Sequence, residues 1–260
     1  MPFPYEKYER VLEPFSVYYS ESQDSLIHLV IQSVDQANHR LMQLLDQPRL
    51  NLQVIMVARS DWHAMPHDDP EEPGNALPYW TNVTHPPSLV IPSQLDPIIG
   101  LSSQEKLIYL IDTVLIQAFL ENDPRPWPEE SPLWADEWQI QFAALWLMQQ
   151  LNGHSGIVMK DLHENYAEIF EPELDGKTPV TIRGFDWYED TSDEDYLIFN
   201  LLLERFAADL LQKYYPDILP RFIALYRNDY SVLLSDDVTG MFANVLGPGG
   251  AEWLEALVYF

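Results

Sequence analysis

A helix-dominant α+β fold, with a small mixed sheet near the N-terminus, follows from three features of the chain. Phe15-Ser-Val-Tyr-Tyr19 alternates as a strand does and leads into a helical apolar period running from Asp24 to Leu45. Leu52-Gln-Val-Ile-Met-Val-Ala58 reads as a strand. From residue 103 onward the apolar spacing is mainly helical, so strands come first and helices follow.

Taken in order, the first helix places Ile27, Val30, Ile31, Val34, Ala37, Leu41 and Leu44 on one face, and Pro48 stops it. After the second strand, a loop rich in Pro, His and acid runs from Arg59 to Pro78. Strands are expected near Tyr79-Trp80-Thr81 and at Ser88-Leu-Val-Ile91. Ser102-x-x-Glu105 reads as a capping box that opens a helix over 103–120. Ser131 and Pro132 are expected as N-cap and first residue of a helix over 132–151, ended near Gly153 to Gly156. Helical character resumes from Asp161 to Ile169, and Pro179-Val-Thr-Ile-Arg183 is expected as a short strand. A long helix spans Ser192 to Tyr215, and shorter ones fit Pro216 to Arg227 and Ser235 to Leu246. Gly247-Pro-Gly-Gly250 then turns the chain into a terminal helix. With no internal repeat and no low-complexity linker, the whole of 1–260 is expected as a single domain. Residues 1–100 form its mixed sheet-and-helix subregion and 101–260 its mainly helical one.

Composition narrows the function. The 260 residues are 47% hydrophobic with eight Trp, enough for a substantial core. The absence of Cys excludes disulfides, thiol catalysis and Cys-ligated zinc. Fourteen basic residues against 41 acidic ones leave a net charge of −27, which opposes direct contact with nucleic-acid phosphates or anionic membrane. The acids gather at Asp68 to Glu72, Glu121 to Glu130 and Glu189 to Asp195, as solvated loops and helix starts, not as one regular stripe. A DNA-mimicking inhibitor is the sharper reading of the same charge. No apolar run approaches the length of a bilayer span, and no basic segment precedes an apolar one at the N-terminus. The expectation is a soluble, cytoplasmic protein with no membrane contact.

Several constellations carry less chemistry than they first offer. His63-Ala-Met-Pro-His67-Asp-Asp69 collects imidazoles and carboxylates, but Pro66 prevents a helix from aligning the two His. Asp186-Trp-Tyr-Glu-Asp-Thr-Ser-Asp-Glu-Asp195 lacks the alternation, central Gly and terminal Glu of a calcium loop, and its acids suit the start of the next helix. Trp134, Trp138, Phe142 and Trp146 recur every four residues, the spacing of a core stripe. Neither a phosphate-binding loop nor a Gly-x-Ser-x-Gly elbow is present.

One frame remains. Ile108-Tyr-Leu-Ile-Asp-Thr-Val-Leu-Ile-Gln-Ala-Phe-Leu120 reads as a buried helix, and a Pro-rich loop separates it from Pro132-Leu-Trp-Ala-Asp-Glu-Trp138. This spacing resembles the peptidase MA-like, gluzincin-type zinc metallopeptidase domain, in which a first helix carries HExxH and a second supplies a Glu. Phe15 to Tyr19 with its helix looks like that family's opening, Leu52 to Arg59 like its second strand, and Asn75-Ala-Leu-Pro-Tyr-Trp80 with Leu89-Val-Ile-Pro92 like its edge-strand region. Tyr196 to Phe222 and Asp237 to Leu257 are similar to its C-terminal helices. The resemblance implies a small mixed N-terminal sheet packed on a zincin-like helical core.

It also implies a lost reaction. The HExxH positions are Thr113-Val114-Leu115-Ile116-Gln117, and Glu137 alone keeps its identity. Thr113 and Gln117 still share a face at i, i+4, Val114 cannot transfer a proton, and Asp112 lies about 100° away around the helix. Catalytic zinc needs three protein ligands and an open position, and one carboxylate beside a hydroxyl and an amide does not meet that. Trp138 stands where the family has Gly, so a large ring is expected in the cleft. The expected function is therefore that of a catalytically inactive, zincin-like protein that binds a protein or peptide partner or a ligand. Thr113, Gln117, Glu137 and Trp138 would line its vestigial cleft, with no catalytic residue, metal ligand or cofactor. A divergent metal-dependent hydrolase that recruits His63 or His67 is the alternative.

Overall fold

A computed structural model describes residues 3–68, 74–170, 180–186 and 191–260. Most of the acidic run at 68–72 and residues 187–190 of the acidic loop lie outside the described residues. The fold is α+β and helix-dominant, and the chain divides into two compact units, Met1–Asn122 and Asp123–Phe260.

The first unit is built on strands β1 (Glu9–Val11), β2 (Ser16–Tyr19), β3 (Gln53–Val57), β4 (Tyr79–Thr81) and β5 (Ser88–Pro92), with helices α1 (Asp24–Leu45) and α2 (Gln104–Glu121). The sheet order is β1-β2-β3-β5-β4. The three central strands run parallel, and the two edges, β1 and β4, run antiparallel to their neighbours. Helix α1 makes the crossover that a parallel β2–β3 pair requires. It ends at Asp46, which takes the left-handed conformation, and Asn38 then clamps the returning chain through paired bonds of 3.0 Å with Leu50 N and O.

Strand β3 is buried on both faces, in keeping with its apolar run from Val54 to Val57. Ile55 and Val57 join Val90, Tyr8, Phe3 and Met65 in one cluster. Val54, Met56, Leu89 and Ile91 alternate with them toward the opposite side, where the helices pack. Helix α2 starts one residue later than the sequence indicates: Ser103, not Ser102, is the cap, and its Oγ accepts from Lys106 N at 3.1 Å. Lys106 is itself buried, with Nζ donating to Ile99 O at 2.6 Å, which draws the first turn of α2 down by its charged end.

The second unit contains α3 (Trp134–Asn152), α4 (Lys160–Asn165), α5 (Asp193–Lys213), α6 (Ile218–Tyr226), α7 (Ser235–Leu246) and α8 (Gly250–Glu255). Helices α3 and α5 pack along each other, with α6, α7 and α8 completing the bundle. Buried residues surround most of α3, so it reads as a core helix with no clear polar side. Its regular turns begin at Trp134, because Ser131 does not cap it. The Ser131 Oγ instead accepts from Tyr226 Oη at 2.7 Å, and Ala135 N and Asp136 N turn back to Pro132 O and Leu133 O. Helix α5 forms where a long helix is expected, and Ser192 and Asp195 cap it as a reciprocal box.

The strand expected at Pro179–Arg183 is not formed. Pro179 lies outside the described residues, and Thr181 closes a turn on Gly184 through both its carbonyl and its Oγ1. Ile182 N does bond Tyr259 O at 2.9 Å, so the segment is tied to the C-terminal residues without becoming a ladder. Among the described residues, no helix is long and apolar enough to cross a membrane.

Candidate functional site

Helix α2 carries the first half of the predicted site, and its rotation decides what that half can do. Leu110, Thr113, Gln117 and Glu121 fall on its least buried stripe, with Gln117 and Glu121 exposed. Thr113 Oγ1 donates to Leu110 O at 2.8 Å, and Gln117 Nε2 donates to Glu121 Oε1 at 2.9 Å. Both polar groups are thus spent within their own helix. Val114 is buried at 8% exposure, packed as an ordinary core residue. Asp112, one position before Thr113, is fully buried, and neither carboxylate oxygen has a hydrogen-bond partner among the described residues. Burial alone pushes its carboxyl well above the ordinary range, so it is held neutral.

Helix α3 carries the second half, in the second unit. Trp138 is fully buried, with its ring 4.6 Å from Phe242, 5.1 Å from Phe222 and 5.7 Å from Phe142. Trp134, Trp138 and Phe142 are therefore core, as their spacing predicts, while Trp146 is half-buried. Glu137, the next residue back, is half-buried, and its carboxyl is pushed up to about 7 by burial and by the neighbouring Asp136. Tyr196 on α5 faces the same carboxyl, and burial together with the Glu137 charge raises its phenol to about 12. One turn further along, Gln141 Nε2 donates to Asn200 Oδ1 at 3.1 Å, linking α3 to α5 beside the acid.

A polar cluster at the start of α3 has no counterpart in the sequence reading. Asp136 is raised to about 6 by burial, against the lowering influence of Tyr226, Arg227 and Ser131. Arg227 is buried at 1% exposure, with Nη1 donating to Arg125 O at 3.1 Å and its guanidinium over the Trp127 ring. Asp123 is held below its usual range: burial would raise it, but the Arg125 guanidinium, bound through both carboxylate oxygens, outweighs that. Ser131 and Tyr226 are 95 positions apart, and no local pattern announces such a pair.

Thr113 and Gln117 thus share one face of α2 in the first unit, while Glu137 and Trp138 stand about a 100° step apart on α3 in the second. Of the loop histidines, His63 is exposed within a 3₁₀ turn at Arg59–Ala64, and His67 is half-buried. Among the described residues, no three His, Asp or Glu side chains converge in a way that could hold a metal ion. Compared by sequence, the chain matches no family model and no curated protein.

Proposed function

We propose that this protein is a non-catalytic binding protein built on a peptidase MA-like scaffold. The observation that carries the reading is Val114. An apolar, buried side chain stands where a general base would have to be, so no group is present there to activate water. Its neighbours agree: Thr113 and Gln117 turn their polar atoms to Leu110 and Glu121. The order of elements supports the scaffold, with a mixed sheet whose β4 edge is antiparallel ahead of the helices α2 and α3. An unidentified protein or peptide is the partner this reading implies.

Metal analysis of the purified protein, with zinc titration after chelator treatment, tests it. Substoichiometric zinc and no uptake are expected. Near-stoichiometric, tightly held zinc that is lost on Glu137→Ala would overturn the reading.

A divergent hydrolase is the second reading, and Glu137 is what favours it. A carboxyl poised near 7 beside a phenol has the protonation behaviour of a general acid or base. Peptide hydrolysis abolished by Glu137→Gln would support that reading, and no hydrolysis across a peptide library would remove it.

A further inference from the structure

Where β3 and β5 end, a cavity of about 310 Å³ opens at their carboxyl ends, within the first unit. Val57 and Pro92 are the last paired residues of the two strands, and Ser93 N still reaches Val57 O at 2.8 Å before the chains part around it. This volume lies at the lower end for pockets that hold small molecules.

We propose that this cavity binds a small organic monocarboxylate with an apolar or aromatic body. Its walls are mainly apolar, with Val57, Trp62, Pro92 and Leu95 among them. Arg59 donates from Nη1 to Gln94 Oε1 at 3.2 Å, and among the described residues no carboxylate pairs with it. Arg49, Arg125, Arg183, Arg205 and Arg221 each pair with an Asp, whereas Arg59, like Arg10 and Arg40, has no carboxylate pair among the described residues. Trp62 Nε1 is buried and has no acceptor among the described residues, while its ring is braced edge-on by Tyr79 at 6.0 Å. A guanidinium fork on a residue that lines an apolar cavity suits a planar carboxylate that accepts two hydrogen bonds.

The charge of the ligand head follows from Asp96, which lies on the same wall. Its Oδ1 is committed to Ile98 N at 3.0 Å, which keeps the carboxylate in place. One guanidinium against one fixed carboxylate suits a monoanion and opposes a phosphate dianion. None of these residues belongs to the Thr113, Gln117 and Glu137 set, so the inference stands whether or not the pseudopeptidase reading does.

Ligand-observed NMR with 3-phenylpropionate, its neutral amide and inorganic phosphate as probes tests the site. A body of this size is expected to bind with Kd on the order of 1 mM. The amide is expected to bind at least about tenfold more weakly, since it lacks the charge that the guanidinium recognises. Arg59→Gln should lose the preference for the acid, and Arg59→Lys should keep part of it, because charge survives without the fork. Arg59 is exposed, so neither variant threatens folding. Equal affinity for acid and amide, binding unchanged in Arg59→Gln, displacement by phosphate at equal concentration, or no binding at 10 mM would each overturn the proposal.

Discussion

Glu204 Oε2 lies 2.9 Å from His163 Nε2, while Oε1 of the same buried carboxylate accepts from Val158 N at 2.7 Å and from Met159 N at 3.1 Å. One side chain on α5 therefore holds the turn that enters α4 and the first imidazole within it. His163 is fixed on its other side by Phe170, stacked at 5.0 Å. Two backbone donors at a helix entrance would otherwise be buried without acceptors.

Removing that carboxylate should be costly. Glu204→Ala is expected to destabilise the protein by about 3 kcal/mol, because it strands two buried N–H groups and an imidazole. Glu204→Gln keeps an oxygen for the two amides and is expected to cost about 1 kcal/mol. Urea denaturation of both variants checks this, and equal losses would show that packing alone is involved.

Asp112 makes stability fall as pH rises. Below about 4 its carboxyl is protonated in both folded and unfolded chains and contributes no pH dependence. Above that, the unfolded chain ionises while burial keeps the folded carboxyl neutral, so unfolding is favoured progressively until the folded group also ionises. Asp112→Asn removes this dependence, and its advantage over wild type should grow by up to about 1.4 kcal/mol per pH unit. Denaturation at pH 5.5 and 8 measures the growth, and parallel curves would contradict the buried, unpartnered state.

Glu137 acts in a bounded window. Its folded pKa of about 7 lies above the ordinary carboxylate value, so its contribution declines as pH rises from about 4.5 and stops changing beyond about 7. Glu137→Gln is expected to be more stable than wild type by on the order of 1–2 kcal/mol at pH 7.5, with little difference at pH 4.5. A carboxyl-carbon NMR titration should place its midpoint near 7 in the native protein. A midpoint near 4 would show that solvent reaches the group freely.

Trp138 should report as core. Trp138→Ala is expected to cost about 3–5 kcal/mol through the cavity left among Phe142, Phe222 and Phe242. Trp138→Phe should cost about 1–2 kcal/mol, since it also removes a buried indole N–H that lacks an acceptor among the described residues. Thermal melts rank the two, and a negligible loss in Trp138→Ala would mean that the ring is not packed.

Much of the scaffold is legible without coordinates. The stripe from Ile27 to Leu44 marks the inward side of α1, although Ile31 and Leu44 are only half-buried and Leu45 is buried in their place, and the run from Leu52 to Ala58 marks a strand. Helix starts are legible to within a residue or two, because an N-cap is a local device: α5, expected from Ser192, begins at Asp193 with Ser192 as its cap. The misplacements are instructive. Ser103 caps α2 in place of Ser102, since adjacent serines offer the same hydroxyl and only the backbone geometry chooses. Ser131 is drawn away from α3 by Tyr226, a partner from another helix.

What the sequence by itself determined is therefore most of the elements and the exclusion of thiol ligands. These depend on residue identity and on spacing along one element, where 3.6 residues per turn fix relative directions. Only the tertiary structure decided which direction faces inward. A 100° step separates the buried, neutral Asp112 from the outward Thr113, and spacing cannot say which of the two meets the core. It also decided that Val57 and Pro92 end side by side, with Arg59 and Asp96 on the walls of the cavity beyond them. Strand pairing joins residues 35 positions apart through backbone bonds that carry no side-chain signature, so that neighbourhood comes into being only on folding.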